Sequence, residues 1–175
     1  MIRLDPAWAT HVFLETLEPP RVPQIAPNNI LARRPFKNDR MAESYDLLSD
    51  FERDLRDFIH EAMFEVFGTG WEKGRLPSGM YGKWVEKCLK AKAAGESSER
   101  LIDYADFTDY VSIIGQNNNW NEIFRSRFGR LQFVQESLYR LQPVRVCTMH
   151  SRILSREMWL ILQTETMLLS ERMWN

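Results

Sequence analysis

The sequence predicts an all-α fold, an up-and-down helical bundle with short inserted helices and an N-terminal proline-rich arm. Apolar residues recur at three- and four-residue steps over long stretches, which is the spacing of one face of an α-helix. No stretch combines β-branched residues with the alternation that predicts a half-buried strand. The chain has 175 residues, 44% of them hydrophobic, which is enough for one core. We therefore expect an arm over residues 1–38 and one helical domain over residues 39–175.

The arm is defined by its prolines. Asp5 and Pro6 form a typical helix start and predict one short helix. Proline interrupts helices and favours an extended path, so we expect Pro19, Pro20, Pro23 and Pro27 to end this helix. We expect the arm to pack over the core as a strap. The alternative is that its basic residues lie on an acidic surface or touch nucleic acid.

The main domain should open with its longest helix. This helix is expected to begin near Asn38 and Asp39, either of which can cap it, and to end at Gly68. Its apolar stripe should face the core through Leu47, Leu48, Phe51, Leu55, Phe58, Ile59, Met63, Val66 and Phe67. The predicted elements that follow are a loop over residues 71–82, helices over residues 83–94, 101–114, 120–128 and 131–141, a short helix from Pro143, and a last helix capped by Ser155.

Charge is segregated along a chain whose formal total is only −1. Between Asp39 and Glu72 there are ten acidic residues and three arginines, whereas between Arg125 and Arg156 there are seven arginines and one acid. Segments of opposite charge can pair across a fold or a dimer interface, or each can be an ordinary solvated face. The basic segment also predicts an anionic ligand.

Several classes of protein are disfavoured by the composition. Cys88 and Cys147 lie far apart and form no CxxC pattern, so we expect neither a disulfide framework nor a zinc site. No apolar run approaches the ~20 residues that span a bilayer, and no signal-peptide pattern is seen, so we expect a cytoplasmic protein without membrane contact. No polar groups converge among the aromatic residues as a cofactor site would require, and we expect no cofactor.

Three aspartates offer a metal alternative. Asp103, Asp106 and Asp109 follow one another at three-residue steps on the predicted helix over residues 101–114. Carboxylates grouped in this way can ligate a divalent cation, but such a row is more often a solvated helix edge. We expect the solvated edge and no metal.

The candidate site lies around Pro143. Proline suits the first turn of a helix, so Arg145 should lie in an early turn and His150 about a turn and a half later. A helix start offers free N–H groups and a partial positive charge, both of which attract a phosphate. Arg145 offers a permanent forked charge for that phosphate, and His150 is a residue type that can act as acid or base. Arg140 and Arg152 are predicted to bind flanking phosphates of the same ligand.

The spacing of this pair is weak by itself, because Arg53 and His60 form a similar pair on the first helix. Five residues of a regular helix turn through about 500°, so Arg145 and His150 should point about 140° apart. Convergence then requires an irregular backbone, a folded-back arginine or a second copy. Two plain alternatives stay open: Arg145 pairs with an acid of the first helix, and His150 hydrogen-bonds in the core.

A longer series of residues resembles the HEPN superfamily. The pair Arg145-x4-His150 matches its motif, and the chain looks similar to the HEPN domain of Swt-type RNA endoribonucleases and their prokaryotic relatives. The matching stretches are, in order, Tyr45-Asp46-Leu47-Leu48, Gly70-Trp71, Leu101-Ile102-Asp103-Tyr104-Ala105-Asp106-Phe107, Asn119-Trp120, Phe128-Gly129, Leu141-Gln142-Pro143-Val144-Arg145 and Leu154-Ser155. An ordered series of this length is more specific than the pair alone.

The resemblance implies a helical bundle that dimerises so that both copies of the motif meet. Active members are metal-independent ribonucleases, often toxins or antiviral effectors, and some pair with a nucleotidyltransferase-type antitoxin. By resemblance, Arg145 and His150 would be catalytic, RNA the substrate, and an antitoxin or effector-complex protein a further partner. Each chain supplies one motif histidine, so a base and an acid for RNA cleavage require a homodimer.

Val146 departs from the pattern of the family. Members that cut RNA usually carry a polar residue, often Asn, directly after the motif arginine. The alternative function is therefore a catalytically weak or inactive HEPN module for dimerisation and RNA or protein binding.

Overall fold

Helix α1 (Met41–Phe67) is the longest element of the computed structural model, which describes residues 40–96 and 98–174. It ends where the sequence predicts, at Gly68, which has φ +73° and donates its N–H to the Phe64 carbonyl at 2.8 Å. Val66 was predicted to face inward but is 49% exposed, because the buried stripe stops one turn before the helix ends. The buried members of the stripe are Leu48, Phe51, Leu55, Phe58, Ile59 and Met63.

The rest of the described chain is also helical, which confirms the all-α prediction. The further helices are α2 (Glu72–Arg75), α3 (Met80–Ala93), α4 (Phe107–Gly115), α5 (residues 117–128), α6 (Leu131–Met149) and α7 (Arg156–Trp174). A 3₁₀ turn over Leu101–Tyr104 precedes α4, and α5 contains a π-helical turn over Trp120–Phe124. The predicted arm and the predicted cap at Asn38 and Asp39 lie outside the described residues.

The core lies between α1, α4, α6 and α7. Helices α6 and α7 are joined by six residues and pack along each other, and both contact α1. Leu55, Leu141 and Leu162, one from each of these three helices, are 0% exposed. Ser155 caps α7 as predicted, since its Oγ accepts the Met158 N–H at 3.2 Å.

The prediction of a separate helix beginning at Pro143 is wrong. Pro143 lies inside α6, which runs without interruption from Leu131 to Met149. Proline has no N–H for the carbonyl four residues earlier, so it normally weakens a helix interior. Here Leu141, two residues before Pro143, and Val144, directly after it, are both fully buried, and their packing outweighs the local preference of proline.

Other boundaries also differ from the prediction. The predicted loop over residues 71–82 contains α2 and the first residues of α3. The predicted helix over residues 101–114 is divided, because Ala105 is extended and the Asp109 carboxylate accepts the Asp106 backbone N–H at 2.9 Å to start α4 there. Residues 117–119, which precede the predicted helix over residues 120–128, are the beginning of α5.

Within the described ranges, no helix is both long and apolar enough to cross a bilayer.

Candidate active site

The candidate site lies at the carboxyl end of α6. His150 directly follows the helix, and Ser151 adopts the left-handed conformation at φ 51°. The Ser151 N–H bonds the Thr148 carbonyl at 3.1 Å, and the Arg152 N–H bonds the Cys147 carbonyl at 2.9 Å. These two bonds form a Schellman motif, which ends the helix and turns the chain outward.

This location reverses the predicted electrostatics of the backbone. The sequence interpretation placed Arg145 near a helix start, where free N–H groups attract anions. In the structure Arg145 is in the last two turns of α6, and the end nearest His150 carries free carbonyl oxygens and a partial negative charge. Attraction for a phosphate must therefore come from side chains rather than from the helix.

His150 is exposed to solvent. Across the residues that the structure describes, its imidazole has no hydrogen bond, ion pair or ring contact, and the same holds for the exposed guanidinium of Arg152. The alternative in which His150 hydrogen-bonds in the core is therefore wrong.

Arg145 is held by an acid of the first helix, as the plain alternative anticipated. Its Nε donates to Glu52 Oε2 at 3.0 Å, and its guanidinium lies 5.7 Å from the centre of the Phe107 ring. The Arg145 side chain is 29% exposed and that of Glu52 is 10% exposed. The pair thus lies at the edge of the core, where α6 meets α1 and α4.

Glu52 belongs to a larger charged network. Its Oε1 lies 3.6 Å from Arg56 Nη2, and the Arg56 Nε donates to the Tyr110 hydroxyl at 3.2 Å. Burial raises the pKa of Tyr110 to about 12, so the phenol stays neutral at physiological pH. Arg56 also contacts Asp103 at 3.6 Å. Carboxylates and guanidiniums alternate along this network, which locks α1 to α4 and α6.

The structure does not bring Arg145 and His150 into contact with each other. His150 follows Arg145 by five residues, which corresponds to about 7.5 Å along the axis of α6. Arg145 extends toward Glu52 on α1, whereas His150 lies beyond the end of the helix. No hydrogen bond joins the two side chains in the described part of the chain. A phosphate between them would have to bridge the gap, or a second copy would have to supply one partner.

Arg140, predicted to bind RNA, is bound to carboxylates within the fold. Its Nε donates to Glu165 Oε1 at 2.6 Å, and Nη1 lies 3.7 Å from Glu136. The hydrogen bond to Glu165 raises the pKa of Arg140. The Glu165 carboxylate is nearly buried, and its other oxygen has no partner among the described residues. RNA contact by Arg140 stays a prediction, and such contact would have to compete with this pair.

Glu52, Phe107 and Tyr110 were not identified as site residues from the sequence. Glu52 is one of ten acids between Asp39 and Glu72, so nothing in the pattern distinguishes it from its neighbours. Its spacing of four residues from Arg56 is a weak signal, because such pairs are common on helix surfaces.

The three aspartates of the metal alternative each bind different partners. Asp103 accepts hydrogen bonds from Ser98 and Arg100, Asp106 pairs with lysines of α3, and Asp109 accepts the Trp84 Nε1–H at 2.8 Å. They do not form the solvated row that was expected, since Asp109 is buried. No group of three potential metal ligands occurs in the two described ranges.

Comparison of the chain with protein-family models, curated proteins and solved structures finds no match. The resemblance to the HEPN superfamily therefore stays a prediction from the sequence.

Proposed function

We propose that the chain is a metal-independent endoribonuclease of HEPN type that cleaves RNA at a site completed by two copies. The observation that carries the proposal is the exposed imidazole of His150, unpartnered within the described residues and two positions from the equally unpartnered Arg152. A structural histidine is usually packed, as is His60, whose ring stacks on Phe64 at 6.1 Å and lies 6.3 Å from that of Trp71.

The proposed reaction is an internal displacement on RNA. One imidazole accepts the proton of the ribose 2′-hydroxyl while that oxygen bonds to phosphorus. A second imidazole gives a proton to the 5′-oxygen as the bond from phosphorus to that oxygen breaks. The products are a 2′,3′-cyclic phosphate and a 5′-hydroxyl. A guanidinium stabilises the charge of the phosphorane, and Arg145 suits this role because Glu52 holds its Nε, whereas its Nη groups make no hydrogen bond with a described residue.

A second copy would supply the second imidazole. Met149 and Ile153, which flank His150 in the chain, are 38% and 77% exposed. Covering exposed apolar side chains is favourable, and a two-fold axis near them would bring the two His150 side chains together. The proposal therefore requires a homodimer whose interface includes the turn after α6.

The first experiment is RNA cleavage in the presence of a chelator. The wild-type protein should produce cyclic-phosphate ends, whereas His150→Gln should reduce the rate by about 10²-fold or more. Gln163→Ala, which changes an exposed residue of α7, is the matched control and should cleave like the wild type. Equal cleavage by all three proteins, or by none of them, rejects the proposal.

The second experiment tests whether one site uses two copies. Wild-type and His150→Gln chains are co-expressed in varied ratios and purified together. Only wild-type pairs carry two imidazoles, so the rate should follow the square of the wild-type fraction. A rate proportional to that fraction would contradict the shared site.

A second candidate function is a non-catalytic module for dimerisation and RNA or protein binding. The ion pair between Arg145 and Glu52 favours it, because the carboxylate offsets the charge that a phosphate would need. Val146 favours it as well. Restoring a polar residue with Val146→Asn distinguishes the two functions: a large gain in cleavage indicates a weakened enzyme, and continued inactivity indicates a binding module.

A toxin or antiviral role and an antitoxin partner are further parts of the proposal. Expression in a bacterial host should then slow growth, and His150→Gln should relieve the effect. Equal toxicity of both proteins would separate any toxic effect from the proposed chemistry.

A further inference from the structure

Four arginines gather at the end of α6 opposite the candidate active site. Arg125 and Arg127 belong to α5, Arg130 immediately precedes α6, and Arg172 lies near the end of α7. The guanidinium of Arg172 is 5.8 Å from the centre of the Phe133 ring, in the first turn of α6. We call these four residues the amino-end arginine cluster.

Members of this cluster differ from most arginines of the domain in having no carboxylate partner, a property that they share with Arg152 at the other end of α6. Arg125, Arg127 and Arg130 are exposed and make no ion pair or side-chain hydrogen bond with any described residue. By contrast, Arg140 is bound to Glu165 and Arg145 to Glu52. The basic segment of the sequence therefore keeps its charge mainly at this end.

The backbone around the cluster adds to its positive potential. Gly129, with φ +75°, ends α5 and lets the chain turn directly into α6. No side chain of a described residue caps α6 through a hydrogen bond, and its first turn contains no acidic residue. The positive end of a long helix thus points the same way as the arginines.

An exposed aromatic residue lies beside the cluster. Trp174 is 56% exposed and lines a cavity of about 140 Å³ together with Arg127. Glu61 and Glu65 line the same cavity, so they partly offset the charge of Arg127. Arg125 and Arg130 do not line this cavity, and we expect them to contribute more.

We propose that the amino-end arginine cluster binds the phosphodiester backbone of a single-stranded nucleic acid, with Trp174 as a platform for one base. Guanidiniums bind phosphates through paired N–H groups, and an aromatic face accepts any base. Helix α6 is about 28 Å long, so a strand bound here is held away from His150. The inference does not rest on cleavage, since binding requires no chemistry.

The test is binding of a fluorescent oligouridylate at several salt concentrations, with the full chain. Arg125→Gln, Arg127→Gln and Arg130→Gln are combined in one variant. Removing three phosphate contacts should raise Kd about 10-fold or more and reduce the slope of log Kd against log salt by about 2. Trp174→Ala should weaken binding without changing that slope, because stacking releases no counterions.

The matched control removes the same amount of charge elsewhere. Arg53→Gln, Lys73→Gln and Lys90→Gln change three exposed cations on α1, α2 and α3. Both triple variants have the same net charge, so equal weakening in both would mean a bulk charge effect and would overturn the proposal. The single variants Arg125→Gln and Arg130→Gln should each weaken binding more than Arg127→Gln.

Binding measurements with other ligands identify what the cluster binds. Oligothymidylate of the same length should bind as the oligouridylate does, because the backbone phosphate is what the cluster contacts. The triple arginine variant could bind oligouridylate as the wild type does but no longer bind phosphatidylserine vesicles. That result would indicate that the cluster binds an anionic membrane surface instead, and it would overturn the proposal. Oligothymidylate has no 2′-hydroxyl and cannot undergo the proposed cleavage, so its binding reports on the cluster whether or not the cleavage proposal holds.

Discussion

At the scale of single residues, the Glu52 carboxylate has the most consequences. It is 7% exposed and joins Arg145 of α6 to Arg56 of its own helix. A buried carboxylate is costly unless it is paired, and its partners lose their compensation if it is removed. The same carboxylate thus stabilises the fold and restrains the arginine that the proposed reaction needs.

Glu52→Gln should therefore lower the free energy of unfolding by about 2 kcal/mol, because two partly buried guanidiniums lose their carboxylate. Urea denaturation measures this change. Asp50→Asn is the matched control: its partner Arg53 has a side chain 61% exposed, and such surface pairs contribute less than about 1 kcal/mol. Similar losses in both variants would show that the network adds nothing beyond a surface pair.

Ser151 is the other residue to consider at this scale, because its backbone conformation is strained. Its φ of 51° is one that side chains rarely adopt and glycine adopts freely. Ser151→Gly should raise the free energy of unfolding by about 1 kcal/mol, measured as an increase in Tm. Ser155→Ala, four residues on, should have the opposite sign, because it removes the oxygen that accepts the Met158 N–H. A loss of stability in Ser151→Gly would contradict the strained turn.

At the scale of elements, α6 shows both the strength and the limit of reading the sequence. Apolar spacing predicted α1 to its terminal glycine and α7 from its serine cap, because those signals are local and agree with the packing. Pro143 is also a local signal, but the burial of Leu141 and Val144 outweighs it. A boundary decided by tertiary contacts cannot be obtained from neighbours in the chain. Because this boundary was predicted wrongly, Arg145 was placed near the start of a helix rather than near its end.

Pro143→Ala tests this explanation. If Pro143 lies within one continuous helix, alanine restores the N–H that bonds the Tyr139 carbonyl, and unfolding should require about 2 kcal/mol more. If Pro143 began a new helix, alanine would be neutral or destabilising, since proline suits a first turn. Urea denaturation of the variant decides between the two, and amide exchange at position 143 would report the restored bond.

At the scale of the whole molecule, the fold rearranges the charge that the sequence groups together. The acidic first helix was expected to pair with the basic segment or to be solvated, and the structure does both: Glu52 binds Arg145, whereas Asp50 and Arg53 are largely exposed. Arg130 and Arg152 belong to the same basic segment of the sequence, but they lie at opposite ends of α6. The sequence predicts which residues are basic, and only the packing determines which of them stay unpaired.

Two carboxylates that precede α4, Asp103 and Asp106, contribute to how the molecule responds to acid. Hydrogen bonds from Lys83 and Lys87 lower the pKa of Asp106. Burial works to raise the pKa of Asp103, but hydrogen bonds from Ser98 and Arg100 hold it below its ordinary value. A carboxylate with a lowered pKa in the folded state favours folding above its unfolded pKa, near 4, and this contribution is lost as the pH falls further.

We therefore expect the free energy of unfolding to fall as the pH drops below about 4, which urea denaturation at a series of pH values would measure. Asp106→Asn should reduce the slope of this fall, because the variant has one carboxylate fewer to protonate. Glu86→Gln is the matched control: Lys90 also lowers the pKa of Glu86, but both side chains are exposed, so solvent screens the pair and the slope should change less than in Asp106→Asn. If Asp106→Asn leaves the slope unchanged, the lysines of α3 do not stabilise the folded state through this carboxylate.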